Sequence, residues 1–361
     1  MAHVLITILG LWLLVLILRS MIRIALINRH YRDWFAEAAS RVVYSIVSFK
    51  LHNNHDPKTR HLILLWFFPA YLLSLIFVYF VGAMTSFVLL YWGLSAVGTW
   101  HQAFLASGSA LNTLGFATPT TITGQWLAIP EGALGLGIVV FLFTFIPGYQ
   151  TVIRAREDKT SWLYVRTRDQ PTGVALLEWC QRAGIAGGMK DIWGAWEDWF
   201  RMLGDTHSVM PMLAMSPSVQ QNQSWVLAGA AVLDAASLAA CVIDSADRES
   251  ARICVQTGTR AFLAIADALG RTCPAARLGT YPSREKFELA LGRLKLAGLI
   301  LRSADADLQW RELMSLRERY EESMLFIAKQ TFAPLEGSLE DLQHASSSTV
   351  SIITYPVDAR R

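Results

Sequence analysis

Between Gly98 and Trp126 the chain reads GTWHQAFLASGSALNTLGFATPTTITGQW, without a single Asp, Glu, Lys or Arg. The segment is too polar for an ordinary membrane crossing and too poor in charge for a solvated loop. Gln102 to Asn112 suits a short helix. Thr113 to Pro119 breaks it with Gly115, β-branched threonines and a proline. The chemistry open to such a segment is that of its backbone. Gly115 permits the positive φ of a sharp turn. Non-helical backbone at membrane depth must be buried in protein or line a water-filled path. A loop of this kind therefore implies a pore or cavity.

Other residues with chemical potential are scattered. No G-x-S-x-G, H-E-x-x-H or phosphate-binding loop occurs, so no enzymatic chemistry is expected. Cys180, Cys241, Cys254 and Cys273 lack C-x-x-C spacing and read as reduced thiols. His207 and His344 stand alone, and His101 reads as an interfacial side chain. No resident metal or cofactor is expected. Trp193, Trp196 and Trp199 recur at helical spacing and read as core packing or a membrane-facing edge rather than a ligand cage. A net charge of +3 with no dense basic stripe excludes an ordinary nucleic-acid binder.

The elements that would position the Gly98–Trp126 loop are apolar. Leu62 to Pro130 carries no Asp, Glu, Lys or Arg, and neither does Gly132 to Ile153 or Ala2 to Leu18. Each is long enough to enter or cross a bilayer. The crossings expected are about Ala2–Leu18, His61 to about Trp92 with a tilt or a kink at Pro69, and Trp126–Ile153. Basic residues follow the first apolar run, so a retained anchor is expected rather than a cleaved signal peptide. The stretch Arg19–Arg60 has a charge excess of +5, which places it in the cytoplasm. Three crossings from an outside N-terminus then leave the C-terminal half inside.

With loop and flanks in place, the run AFLASGSALNTLGFATP resembles the pore loop of the potassium-channel superfamily, of the bacterial two-transmembrane/pore type. There a pore helix leads into a filter of the form T-V-G-Y-G-D or T-x-G-F-G-D. The flanks FVLLYWGLS and TGQWLAIPEGALGLG are similar to the outer and inner helices of that family, and the likeness covers about Leu62 to Arg156. The resemblance implies a homotetramer, because one chain supplies one loop. It implies a filter of Thr113, Leu114, Gly115, Phe116 and Ala117 for permeant K+, with Na+ as the alternative ion. Ala117 stands where the family has a second glycine, and Thr118 where it has aspartate. Weak selectivity among monovalent cations, or a non-conducting sensor or scaffold, are the alternative functions.

Thr118 and Glu131 are the candidate supports of the filter. For Glu131, the one acid among these apolar stretches, an interfacial position facing outer water is equally open. Gly135, Gly137, Pro147 and Gly148 are candidate gating hinges, close helix packing being the competing reading.

The expected fold is an all-α membrane protein. Residues 1–19 form an N-terminal anchor and 20–60 a basic amphipathic linker. Residues 61–156 form the pore module, 157–335 a cytosolic α-helical domain and 336–361 a flexible tail. In the linker Phe35, Ala38, Ala39, Val42, Val43 and Ile46 share one helical face, suited to membrane lipid or to the cytosolic domain. Helices are expected near Thr172–Ala183, Lys190–Leu203, Ser224–Ile243, Arg248–Ala268, Ser283–Leu301 and Leu308–Thr331. The domain's ligand or partner is not legible.

Overall fold

The computed structural model describes residues 1–26, 33–54, 56–270 and 284–333. The expected tail, His344 and Cys273 lie outside the described residues. Those described form twelve α-helices and one short 3-10 turn, with a single isolated antiparallel bridge between Ile243 and Leu301 and no strand.

Three regions are long and apolar enough to cross a membrane: Ala2–Arg23, Pro57–Gly93 and Ile122–Arg166. The first lies in α1 (Ala2–Leu26). The second comprises α3 (Pro57–Leu65) and α4 (Phe67–Gly93), divided at Trp66. The break falls a turn before the expected kink at Pro69, for a simple reason. Proline has no N–H to give the carbonyl four residues earlier, that of Leu65, and its ring crowds it. α1 packs along α4 through small residues: a Cβ on Gly10 would lie 3.0 Å from Leu89 Cβ and from the Ser86 carbonyl oxygen.

α2 (Trp34–His52) starts at Asp33, whose carboxylate accepts from the amides of Phe35 and Ala36, both at 3.1 Å. The same carboxylate accepts from Ser20 Oγ at 2.9 Å, and Ser20 Oγ lies 2.8 Å from Tyr79 Oη, so three helices meet at one polar knot. The apolar face foreseen for α2 is split. Ala39 and Val43, with Val47 and Leu51, are buried against the base of α4, whereas Val42, Ile46 and Phe49 are exposed. Tyr44 also stacks on Phe332, with ring centroids 5.9 Å apart. Thus α2 does pack against the C-terminal half, while a second apolar strip stays open.

α5 (Trp100–Leu111) sits between α4 and α6 (Ile122–Arg166). α6 runs through Pro130 and Pro147 without ending, and passes well beyond Ile153, where the sequence suggested the crossing would stop. At 1.5 Å per residue it spans about 68 Å, against about 30 Å of hydrocarbon. Its last turns enter the core of the C-terminal domain, where Leu163 and Tyr164 are buried.

That domain is built around α9 (Trp225–Cys241), every residue of which is buried. Around it lie α7 (Gly173–Arg182), α8 (Lys190–His207), α10 (Arg248–Ala268) and α12 (Ala306–Gln330), with α11 (Arg284–Leu296) against α7. Alanines and Gly229 let the neighbours approach α9 closely, and Gly258 faces Leu233 and Phe200. Trp193, Trp196 and Trp199 are core residues, and Trp196 packs edge to face with both Trp162 and Trp199. Cys180, Cys241 and Cys254 are free and buried, and burial pushes their thiols up from the ordinary range, which keeps them inert.

Candidate functional site

The short helix α5 is closed at its start by a capping box. Thr99 Oγ1 accepts from the Gln102 amide at 3.2 Å, and Gln102 Oε1 accepts from the amides of Thr99 and Gly98. Ala103, Ala106, Ser107, Ser109 and Leu111 form its buried face. The chain then turns sharply. Thr113 has φ 56 and Gly115 φ 72, so left-handed backbone alternates with ordinary backbone through the turn. A β-branched residue at positive φ is unusual, and the strain is held by hydrogen bonds.

Those bonds fix where the carbonyls go. The Thr113 amide donates to the Ala110 carbonyl at 2.9 Å, and the Leu114 and Gly115 amides donate to the Ser109 carbonyl at 2.9 and 3.4 Å. The Ala117 amide donates to Ser109 Oγ at 3.0 Å. All four N–H groups point into the end of α5. In a trans peptide the carbonyl of the preceding residue points the opposite way, and the described residues contain no cis bond. The carbonyls of Asn112, Thr113, Leu114 and Phe116 are therefore directed away from α5, on the side where Thr113, Leu114, Gly115 and Phe116 are exposed. Leu114 and Phe116 are 65% and 66% exposed, an odd state for apolar side chains in a turn.

After the turn the chain returns alongside α5. Ala117 to Thr121 lines an open cavity of about 710 Å³ together with Gln102, Leu105 and Ala106. Thr121 Oγ1 donates to the Ala96 carbonyl at 2.6 Å, just before α5, and caps the first turn of α6 through the Gly124 amide. Helix and loop thus make a closed excursion that begins and ends at the same end of the flanking helices. Ala117 is not left-handed, so the position filled by glycine in the resembling family is met here by ordinary backbone. Thr118 is exposed and lines the cavity.

Glu131 lies on the first third of α6 and is completely buried. Tyr91 Oη donates to Oε2 at 3.0 Å, and Ser107 Oγ donates to Oε1. Of the two positions open to it in the sequence, the structure places it inside, tying α4, α5 and α6 together behind the turn. Tyr91, Ser107 and Ser109 were not singled out by the sequence. No spacing rule links a tyrosine on one helix to an acid 40 positions later, and serines in an alanine-rich helix read as small packing residues.

The candidate hinges divide. A Cβ on Gly135 would collide with the Leu111 carbonyl oxygen, so this glycine serves the contact between α5 and α6. Gly137 and Gly148 have open space around them, and Pro147 is exposed within the helix. His101 is exposed at the start of α5. Among the described residues no group of three or more His, Cys, Asp or Glu is arranged to hold a metal ion. Comparison with protein-family models, curated proteins and solved structures gives no match.

Proposed function

We propose that the chain is one subunit of a homotetrameric cation channel in a membrane. In this reading potassium passes passively through backbone carbonyls of Thr113–Ala117, and α6 is the inner helix whose movement, coupled to the C-terminal domain, opens the path. The observation that carries the reading is the direction of the peptides after α5: their amides are consumed by Ala110 and Ser109, which leaves the carbonyls of Thr113, Leu114 and Phe116 turned outward from the subunit. Carbonyls so exposed on an apolar turn need a partner, and a dehydrated monovalent cation shared with sister subunits supplies one. The buried Glu131 bridge holds the supporting helix in place.

The weaker-selectivity reading has its own support in Ala117, whose backbone is not left-handed, and in Thr118 in place of the family's aspartate. It adds one measurable: the ratio of potassium to sodium flux.

Purified protein in liposomes tests the proposal by cation flux. Gly115→Asp places a side chain at φ 72 and a negative charge in the turn. It is expected to abolish flux or to change the potassium-to-sodium ratio at least several-fold. Flux unchanged by this substitution contradicts the filter. A strictly monomeric particle in detergent contradicts the shared pore.

A further inference from the structure

Arg156 lies past the apolar part of α6 and is 0% exposed. Its guanidinium donates to the carbonyls of Leu213 at 3.1 Å, Ser216 at 3.0 Å and Pro217 at 3.1 Å. It also lies 3.4 Å from His207 Nε2, 2.8 Å from the Glu157 carboxylate and over the Trp225 ring at 5.3 Å. The backbone is held as well, since Trp199 Nε1 donates to the Arg156 carbonyl at 3.2 Å. Three parts of the C-terminal domain therefore converge on one side chain of α6: the end of α8, the loop after it and the first residue of α9. Burial, and then the nearby Arg156 charge, hold the His207 imidazole well below its ordinary range. It stays neutral and free to accept.

The same loop is wedged against the base of the apolar helices. Leu213 and Met215 are buried in one cluster with Leu64, Phe67, Phe68 and Ile153. Tyr149 stacks flat on Phe68 at 3.5 Å and its hydroxyl meets Ser216 Oγ at 3.1 Å. Glu157 accepts from the Val219 amide at 3.2 Å, and His61 Nε2 lies 3.2 Å from the Val219 carbonyl. A planar fork with five donors suits a fixed set of carbonyls in a way an ammonium does not. Arg156 sits on the helix that runs unbroken from Ile122, past Glu131 and Gly135.

We propose that Arg156 is a positioning residue that locks α6, just past its apolar run, to the end of α8 and the loop after it. α6 and the C-terminal domain that holds its last turns then move as one rigid body, and a displacement of that domain is carried along α6. The joint is a mechanical claim about this chain; only its consequence for conduction rests on the channel reading above.

The test uses the full chain in liposomes with spin labels at Gln150→Cys and Asp198→Cys, both exposed, and with Cys273→Ser, diluted into an excess of chains lacking the two label sites so that the distance is read within one subunit. The parent protein is expected to give one narrow distance distribution. Arg156→Gln is expected to broaden it at least twofold while helix content is kept, and Arg156→Lys to fall between. Tyr149→Phe loosens the same joint without touching the buried charge. It carries the test, with broadening expected, if the Arg156 variants do not fold. In a conducting parent, flux is expected to change about tenfold with the broadening. An unchanged distribution in a folded Arg156→Gln, or in Tyr149→Phe where that variant carries the test, overturns the joint. Broadening with unchanged flux overturns the coupling. A parent with no flux overturns the channel reading, and the distances still decide the joint.

Discussion

Glu131 accepts two hydrogen bonds inside the protein, and its value lies in what it satisfies. Tyr91 and Ser107 are themselves buried; without the acceptor Ser107 Oγ still reaches the Met84 carbonyl at 3.2 Å, but Tyr91 Oη is left without its partner. An orphaned buried hydroxyl costs about 1–3 kcal/mol. Glu131→Ala is therefore expected to lower the melting temperature in detergent and to reduce cation flux, because α5 loses its side-chain tie to α6. Glu131→Gln keeps an acceptor oxygen and the shape, and is expected to retain most of the stability. If the alanine variant melts with the parent, the bridge is not what holds α5. The C-terminal domain repeats the pattern without an evident role in a site. Asp234, in the middle of the alanine-rich α9, accepts from Tyr320 Oη at 2.6 Å and lies 3.3 Å from the Arg317 guanidinium. Burial pushes its carboxyl up from the usual range, opposed by Arg317.

At the scale of elements, the contrast between Gly135 and Gly137 separates packing from hinge. Any Cβ at Gly135 meets the Leu111 carbonyl, so Gly135→Ala must push α5 away from α6 and is expected to cost about 1–3 kcal/mol, the usual range for overpacking. Gly137→Ala meets nothing, and alanine favours helix by about 1 kcal/mol over glycine. The expected outcome is a melting temperature equal to or above the parent, with reduced flux if α6 bends at Gly137. Equal flux and equal stability would remove Gly137 from the hinge candidates and leave Gly148 with Pro147. Most element boundaries were legible in the sequence because local chemistry sets them. Thr172 and Ser224 each cap a helix start where the sequence placed one, whereas Thr99 with Gln102, and Thr121, start α5 and α6 at Trp100 and Ile122, ahead of the expected Gln102 and Trp126. The turn at Gly115 was legible for the same reason. What was not legible depended on partners far along the chain. The extension of α6 to Arg166 was hidden because Arg154 and Arg156 read as the basic end of a crossing. Nothing local distinguishes a solvated arginine from one that three distant carbonyls bury. Asp234 was hidden in its alanine run, and Tyr91 and Ser107 were hidden for want of any spacing rule across helices.

On the scale of the whole molecule, the ends of the apolar helices differ. One end carries α5, the turn, the Ala117–Thr121 return and His3, whose Nδ1 lies 3.2 Å from the Trp92 carbonyl. The other end carries α2, Lys58, Arg60 and the C-terminal domain, joined through Tyr44 and Phe332, Tyr149 and Ser216, and Arg156. The basic linker and the C-terminal domain therefore share a side, as the two crossings between them require. α6 exceeds the hydrocarbon thickness by more than half its length, and the surplus emerges where that domain lies. The excess of Lys and Arg in residues 19–60 is expected to place this side in the cytoplasm under the positive-inside rule. Single cysteines check it. Thr120→Cys, at the turn end, is expected to react with a membrane-impermeant maleimide on intact cells. Asp198→Cys, on the exposed face of α8, is expected to react only after the membrane is permeabilised. The reversed pattern would invert the orientation and make the turn the inner mouth of the path. Reaction of both from outside would mean that one of the three apolar regions does not cross, and a loop that starts and ends at the outer ends of two crossings would lose its frame.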